Sequence, residues 1–282
     1  MPFDPQWLEA SFPDLRDLTL IGRGGQKEVL RGQSIATGDT VVLKLCHLGS
    51  DRQRILREIS AAQQLASTHV PNIVGYGEVD SPVGQIIWLI EEYVDGQSLR
   101  GVLGDGPLPP PDVAVVAMGV LDALVSAEAA HVVHRDIKPE NMILRTDGEV
   151  FLVDFGIARH LDLASMTPSS AALGPCTPGY SPPEQFRNLK HDIDGRADLF
   201  ALGVTLYESA TGSNPYLAGT ADARAVLDRV QSTALPPVPR SAGLPDRFVG
   251  LIWAMTRLRR NHRPRTADEC REWLREALAE TA

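Results

Sequence analysis

Apolar residues change their period along this chain, and the change separates a strand-rich beginning from a helix-rich remainder. From Leu18 the pattern is strand-like: Leu20-Ile21 run into Gly22-Arg23-Gly24-Gly25, and a second stretch follows from Lys27 to Gly32. After the turn Thr37-Gly38-Asp39, the run Thr40 to Leu45 reads as a strand with one charge in it, Lys44. Ile55, Ile59, Ala62 and Leu65 recur at helical spacing between Asp51 and Ala66, with Glu58 beside the stripe. Ile86 to Ile90 is a short continuous apolar run, as a buried strand makes. Pro109-Pro110-Pro111-Asp112 then opens a long apolar helix, Val113 to Ala130. A further helix begins at Arg196-Ala197-Asp198 and stops at Thr211-Gly212, glycine being the residue that most easily leaves a helix. Proline-rich 236–245 separates two more helices, and Thr266-Ala267-Asp268-Glu269 is a capping-box start for the last. Residues 1–15 read as a leader whose Trp7 and Phe12 pack on the body, and 157–176 as a long polar loop.

Composition narrows the class. The 282 residues are 43% hydrophobic and 22% charged, ordinary for a soluble globular chain able to bury a sizeable core. A net charge of −9 argues against nucleic-acid binding, which needs a basic face. Cys46, Cys176 and Cys270 are odd in number, far apart and without metal-ligand spacing, so free thiols in a reducing compartment are expected. The best apolar run, between Gln85 and Glu91, is too short for a membrane span, and Met1-Pro2-Phe3-Asp4 does not open a secretory signal. The expectation is a cytoplasmic protein. Lysine occurs only at 27, 44, 138 and 190. Two of these, Lys44 and Lys138, sit where a compact ammonium has a chemical use.

That use appears in Val132-Val133-His134-Arg135-Asp136-Ile137-Lys138-Pro139-Glu140-Asn141, which Pro139 makes a loop rather than a helix. A carboxylate can accept a hydroxyl proton, an ammonium can hold a phosphate oxygen, and a carboxamide oxygen can help hold a hard cation. Thirteen residues after Asn141, Asp154-Phe155-Gly156 places a second carboxylate behind the run Val150-Phe151-Leu152-Val153. A single Asp or Asn would most simply satisfy its own loop backbone. Together the residues form a phosphoryl-transfer kit and resemble the catalytic loop H-R-D-x-K-x-x-N and metal loop D-F-G of the eukaryotic-type serine/threonine protein kinase family.

The resemblance runs from Leu18 almost to the C-terminus and assigns further roles. Gly22 and Gly24 would let the backbone approach phosphates, with Val29 capping the adenine and Val42 and Ile143 also lining the nucleotide. By itself this G-x-G is more simply a hairpin turn, and the family's third glycine is replaced by Lys27. Lys44 would hold the α- and β-phosphates, paired with Glu58; taken alone, Lys44 would snorkel and Glu58 would be a solvated carboxylate. Glu91-Glu92-Tyr93-Val94 is similar to the segment joining the two lobes, with Glu92 and Val94 reading the adenine edge through their backbone. Glu91 departs from the family's usual apolar residue or Thr; buried, it needs a partner, with Lys44 the obvious candidate, or a one-residue slip of the strand. Asn141 and Asp154 would hold Mg²⁺, with Mn²⁺ as an alternative ion. His69 is expected to be structural. Thr177 and Glu184 lie in a stretch resembling G-T-x-x-Y-x-A-P-E; Glu184 would pair with Arg263, and Asp198 would support the catalytic loop from below.

The resemblance implies an α+β, two-lobed fold: a small antiparallel β-rich lobe with one key helix (16–93) and a larger, mainly helical lobe (94–282), after the leader 1–15. It implies ATP-dependent phosphorylation of a Ser or Thr hydroxyl on a protein, with Asp136 as base and Lys138 steadying the γ-phosphate. A pseudokinase scaffold is one rival, motivated by Lys27 and Glu91. A small-molecule kinase of the same fold is the other, though its loop typically reads H-G-D without the lysine. Protein substrates are the expected partners, with no nucleic acid or membrane. Autophosphorylation through transient self-association is expected at Ser165, Thr167, Ser169 or Ser170, the phosphate meeting Arg135.

Overall fold

Alternation along the first strands gives the sheet two apolar faces, each covered by a helix. The computed structural model describes residues 3–24, 27–47, 52–155, 176–187, 193–220 and 222–280. Strands β1 (Leu15–Arg23), β2 (Lys27–Ser34), β3 (Thr40–His47), β4 (Ile73–Ser81) and β5 (Gly84–Glu92) form an antiparallel sheet in the order β1-β2-β3-β5-β4. One face carries Leu30, Val41, Leu43, Leu45 and Ile86 and packs against helix α1 (Pro5–Ser11), with Phe3, Leu8 and Phe12 in the same cluster. The expected leader is therefore part of the sheet's core. Asp4 caps α1 by accepting the Gln6 N–H at 2.8 Å, and the Trp7 indole N–H reaches the Asp80 carbonyl at 3.2 Å.

The other face carries Cys46, Ile87 and Leu89 and receives Ile55 and Ile59 of helix α2 (Arg52–Ala62). This helix stops short of the expected Ala66. Gln64 and Leu65 turn back to Ala61 and Ala62, three residues earlier, which tightens the chain out of the α-helix. Leu65 instead packs at the margin of the second core.

That second core belongs to the helices. A small sheet, β6 (Gln97–Ser98), β7 (Met142–Leu144) and β8 (Val150–Leu152), lies beside α3 (Leu99–Val102) and α4 (Pro110–Ala129). Helices α5 (Pro183–Phe186), α6 (Gly195–Thr211), α7 (Ala223–Ser232), α8 (Asp246–Met255) and α9 (Ala267–Ala279) complete the lobe. In α4 and α6 the apolar residues go nearly all the way round, because both run through the centre of this core. Gly212 ends α6 at φ +76° and donates its N–H to the Glu208 carbonyl at 2.7 Å. At the start of α9, Thr266 accepts the Glu269 N–H at 3.1 Å. The result is an α+β fold of two lobes, each with its own apolar cluster. Among the described residues no helix is long and apolar enough to cross a membrane.

Gly203 of α6 faces the C-terminal end of α8 at close range. A Cβ there would sit 2.6 Å from Thr256 Cγ2 and 3.1 Å from Met255 Cβ, both on buried residues. Gly203→Ala is therefore expected to destabilise the domain by about 1–3 kcal/mol through overpacking. Urea unfolding of the variant checks this; an unchanged midpoint would mean that the helices separate at little cost.

Candidate active site

The loop after α4 is shaped from below. Asp198 on α6 is 1% exposed and accepts the backbone N–H groups of His134 at 2.7 Å and Arg135 at 2.6 Å. Those bonds accompany a left-handed Arg135, φ +65°, a conformation non-glycine residues keep only where the surroundings impose it. The buried His134 ring accepts the Asp136 N–H on Nδ1 at 3.2 Å and faces the Val153 carbonyl with Nε2 at 3.0 Å, which makes it the Nε2–H tautomer. Phe155 meets that ring edge-on at 4.5 Å, and Gln185 donates to the Arg135 carbonyl at 2.8 Å.

Asp136 projects from this platform. Its Oδ2 accepts from Lys138 Nζ at 2.8 Å and Asn141 Nδ2 at 3.1 Å, and its Oδ1 accepts from the Thr177 hydroxyl at 2.6 Å. Lys138 also reaches the Thr177 oxygen at 3.4 Å. The Asn141 Nδ2 donates a second time, to the Asp136 carbonyl at 2.8 Å. With its nitrogen so occupied, Asn141 keeps its carboxamide oxygen for a cation.

Asp154 is the second carboxylate of the site and is also left-handed, φ +63°. Its Oδ1 is 2.8 Å from Lys44 Nζ and its Oδ2 is 2.9 Å from Lys27 Nζ. Burial works against the Asp154 charge, but the two ammonium groups outweigh it and hold the carboxyl well below the usual range. Burial likewise opposes the Lys44 charge, yet Asp154 and Glu91 raise its pKa above the ordinary value. On the same strand face, burial pushes the Cys46 thiol up to about 12, so it stays neutral. Mg²⁺ keeps several waters and phosphate oxygens and needs only one or two protein oxygen ligands. The Asp154 carboxylate and the Asn141 oxygen fit that requirement.

The partner of Lys44 corrects one expectation. Lys44 forms its ion pairs with Glu91 and Asp154 rather than with Glu58. The reason is register. In the β3–β5 ladder Lys44 lies opposite Leu89 and Val42 opposite Glu91, so Lys44 and Glu91 are diagonal neighbours on one sheet face. The strand has not slipped, and Glu91 is buried with a partner.

Other predicted residues fall around this centre. Gly22 pairs with Val29 across the β1–β2 hairpin, and Gly24 closes the turn by donating to the Lys27 carbonyl at 2.8 Å. Val42 shares the face of Lys44, and Ile143 lies on β7 opposite Phe151. Glu92 ends β5, where its N–H donates to the Asn72 carbonyl at 2.9 Å; Val94 follows in the link to β6. His69 is tied to the Val150 carbonyl at 2.8 Å, a structural contact. Glu184 and Arg263 form a two-pronged ion pair at 2.6 and 3.1 Å beneath α5. Gly156, Ser165, Thr167, Ser169 and Ser170 lie outside the described residues.

A family model for the protein kinase domain matches residues 15–274. The chain belongs to the protein kinase domain family. It is 33% identical over 232 residues to the serine/threonine-protein kinase PknB of Mycobacterium leprae, covering 80% of this chain and 36% of that protein. It is 36% identical over 243 residues to PknH of Mycobacterium tuberculosis, covering 83% and 37% respectively. PknL of Mycobacterium bovis matches at 34% over 270 residues, 93% of this chain and 65% of the relative. The chain thus spans little more than a third of the length of the PknB and PknH relatives.

Two features of this kinase domain were not legible in the sequence. Lys27, which replaces a glycine, ties the first hairpin to Asp154 in the other lobe. Charge near the phosphates was foreseeable; a contact 127 positions away was not. The second is a polar knot in which Arg100 bonds Glu140 and Glu208, each at 2.8 Å, and also Tyr180, which itself donates to Glu208. Its one sequence signal is Glu208 in the buried, mostly apolar second half of α6, since a carboxylate there has to be partnered.

Proposed function

We propose that this domain is an ATP-dependent serine/threonine protein kinase, which transfers the γ-phosphate of ATP to a Ser or Thr hydroxyl of a protein. The observation that carries the reading is Asp136 held simultaneously by Lys138, Asn141 and Thr177. Such a carboxylate is fixed in orientation while remaining accessible at the site. It accepts the proton of the incoming hydroxyl as the oxygen bonds to the γ-phosphorus; the bond from that phosphorus to the bridging oxygen breaks and ADP leaves. Lys138, two residues from the base, steadies the transferred phosphoryl group. Lys44 orients the α- and β-phosphates. Mg²⁺, or Mn²⁺, held by Asn141 and Asp154 would neutralise charge on the phosphate oxygens. Lys138 and the segment Thr177 to Glu184 favour a protein acceptor over a metabolite. The complete set of Lys44, Asp136, Asn141 and Asp154 favours an enzyme over a scaffold.

A cytoplasmic setting fits the buried free cysteines Cys46 and Cys270. Autophosphorylation at 165–170 through transient self-association belongs to the same reading. Arg135 Nε, buried without a hydrogen-bond partner among the described residues, offers a guanidinium edge to such a phosphate.

The test is incubation of the purified domain with MgATP and a mixture of protein, peptide and metabolite acceptors, followed by mass spectrometry. Phosphoserine or phosphothreonine on protein is the expected product; phosphorylated metabolites alone, or no product, would overturn the reading. Lys44→Met keeps the apolar stem but removes the ammonium, and is expected to abolish detectable transfer. Retained turnover would move the phosphate-holding role to Lys27, the other lysine on Asp154.

A further inference from the structure

We infer that Glu91 is the positioning residue for Lys44, so that the phosphate-holding lysine is oriented from within the sheet and not from α2. This rests on the reading above that Lys44 holds ATP phosphates. Four observations carry it. Glu91 and Lys44 are 6% and 7% exposed, so each charge needs a partner close by. They hydrogen-bond directly, Lys44 Nζ donating to Glu91 Oε2. They stand on adjacent strands whose ladder is regular from Val41↔Glu92 to His47↔Ile86, which sets their diagonal spacing. Finally, Lys44 spans Glu91 on one side and Asp154 on the other, so the sheet carboxylate aims the ammonium at the other lobe.

The consequence concerns which motion can switch the site. A partner on α2 would hold Lys44 only while that helix packs in one place, and α2 meets the sheet through side chains alone, Ile55 and Ile59 in the core and Arg52 on Glu78 and Gln85. A partner on β5 moves with Lys44 as one body, because backbone hydrogen bonds join the two strands. Shifts of α2 therefore leave the ammonium in place. On the kinase reading Glu91 also stands next to Glu92 at the adenine edge, yet its carboxylate serves orientation of the phosphate end.

The test separates an orienting role from a role in shaping the adenine pocket. Affinities for ATP and for adenosine are measured by titration calorimetry on the whole chain and on Glu91→Gln, Glu91→Met and Glu58→Gln. Lys44 meets only phosphates, so both Glu91 variants are expected to weaken ATP by about ten- to a hundredfold, the range for loss of a charge-assisted hydrogen bond. Adenosine affinity in both should stay near that of the native protein. Glu58→Gln should weaken ATP less than either Glu91 variant. Glu91→Met fills the buried volume without a stranded amide, so it guards against misfolding in Glu91→Gln; circular dichroism and thermal melts qualify both. Equal loss of ATP and adenosine, or a larger loss from Glu58→Gln, would overturn the inference. If the native protein fails to bind ATP at all, the kinase reading itself falls, a distinguishable result.

Discussion

Asp136→Asn is expected to slow phosphoryl transfer by about a hundred- to ten-thousand-fold, the usual cost of losing a positioned general base. ATP affinity should change little, because Asp136 is bound by Lys138, Asn141 and Thr177 and, in the proposed mechanism, serves the acceptor rather than the nucleotide. The substitution keeps the side chain's shape. It replaces an acceptor-only carboxylate with a carboxamide that has one acceptor oxygen and two donor hydrogens. Three donors now converge on one oxygen and an NH₂, so at least one of Lys138 and Thr177 loses its bond. Single-turnover rates with saturating MgATP report the chemical step, and calorimetric ATP binding reports the ground state. Turnover near that of the native protein would remove Asp136 from the role of base. A parallel loss of ATP binding would show that the loop has collapsed, and the rate could no longer be assigned to chemistry.

The largest stability effect is expected at Arg263. Its side chain is fully buried, and all five guanidinium hydrogens are used. Two donate to the Glu184 oxygens at 2.6 and 3.1 Å; the others go to the carbonyls of Arg257, Arg196 and Leu258 at 2.7, 3.0 and 3.1 Å. Arg263→Ala leaves Glu184 buried and unpaired beneath the α5 segment, at a cost of about 3–5 kcal/mol. Against a total of about 5–15 kcal/mol for a domain, this is enough to unfold a marginal protein. Arg263→Lys should be nearly as damaging, since three rotatable donors on a point charge cannot reproduce a planar fork. Converting both partners to apolar residues, Glu184→Leu with Arg263→Met, should cost less than Arg263→Met alone, because no charge is then stranded. Urea unfolding of the series measures these differences. A loss below about 1 kcal/mol for Arg263→Ala would place the pair among solvent-screened salt bridges.

Much of this molecule is local in origin and so could be read from the chain. The periods of apolar residues marked β3, α2, β5, α4 and α6, because a buried face has to repeat at the spacing of its element. Gly212 and the Thr266–Glu269 box marked helix ends, since terminal groups are satisfied by neighbours in sequence. The proposed catalytic loop was legible because Asp136, Lys138 and Asn141 lie within a few positions of one another. Boundaries were less so: α2 ends at Ala62 because Leu65 is drawn to the second core, a demand made by the other lobe.

Contacts between distant segments were decided only in three dimensions. That Lys44 needs a carboxylate follows from its apolar strand; which carboxylate depends on the β3–β5 register, where a slip of one residue would turn Glu91 to the opposite face. The same holds for Lys27, which reaches Asp154 only once the first hairpin lies over the other lobe. Arg100, Tyr180 and Glu208 come from three separate segments and meet because a buried carboxylate on α6 must find donors wherever packing brings them. The sequence by itself determined the elements and the chemical inventory, because propensity, patterning and capping act over a turn or a strand. The tertiary structure decided the pairing of charges, because Coulomb attraction and desolvation depend on distance through space and are blind to separation along the chain.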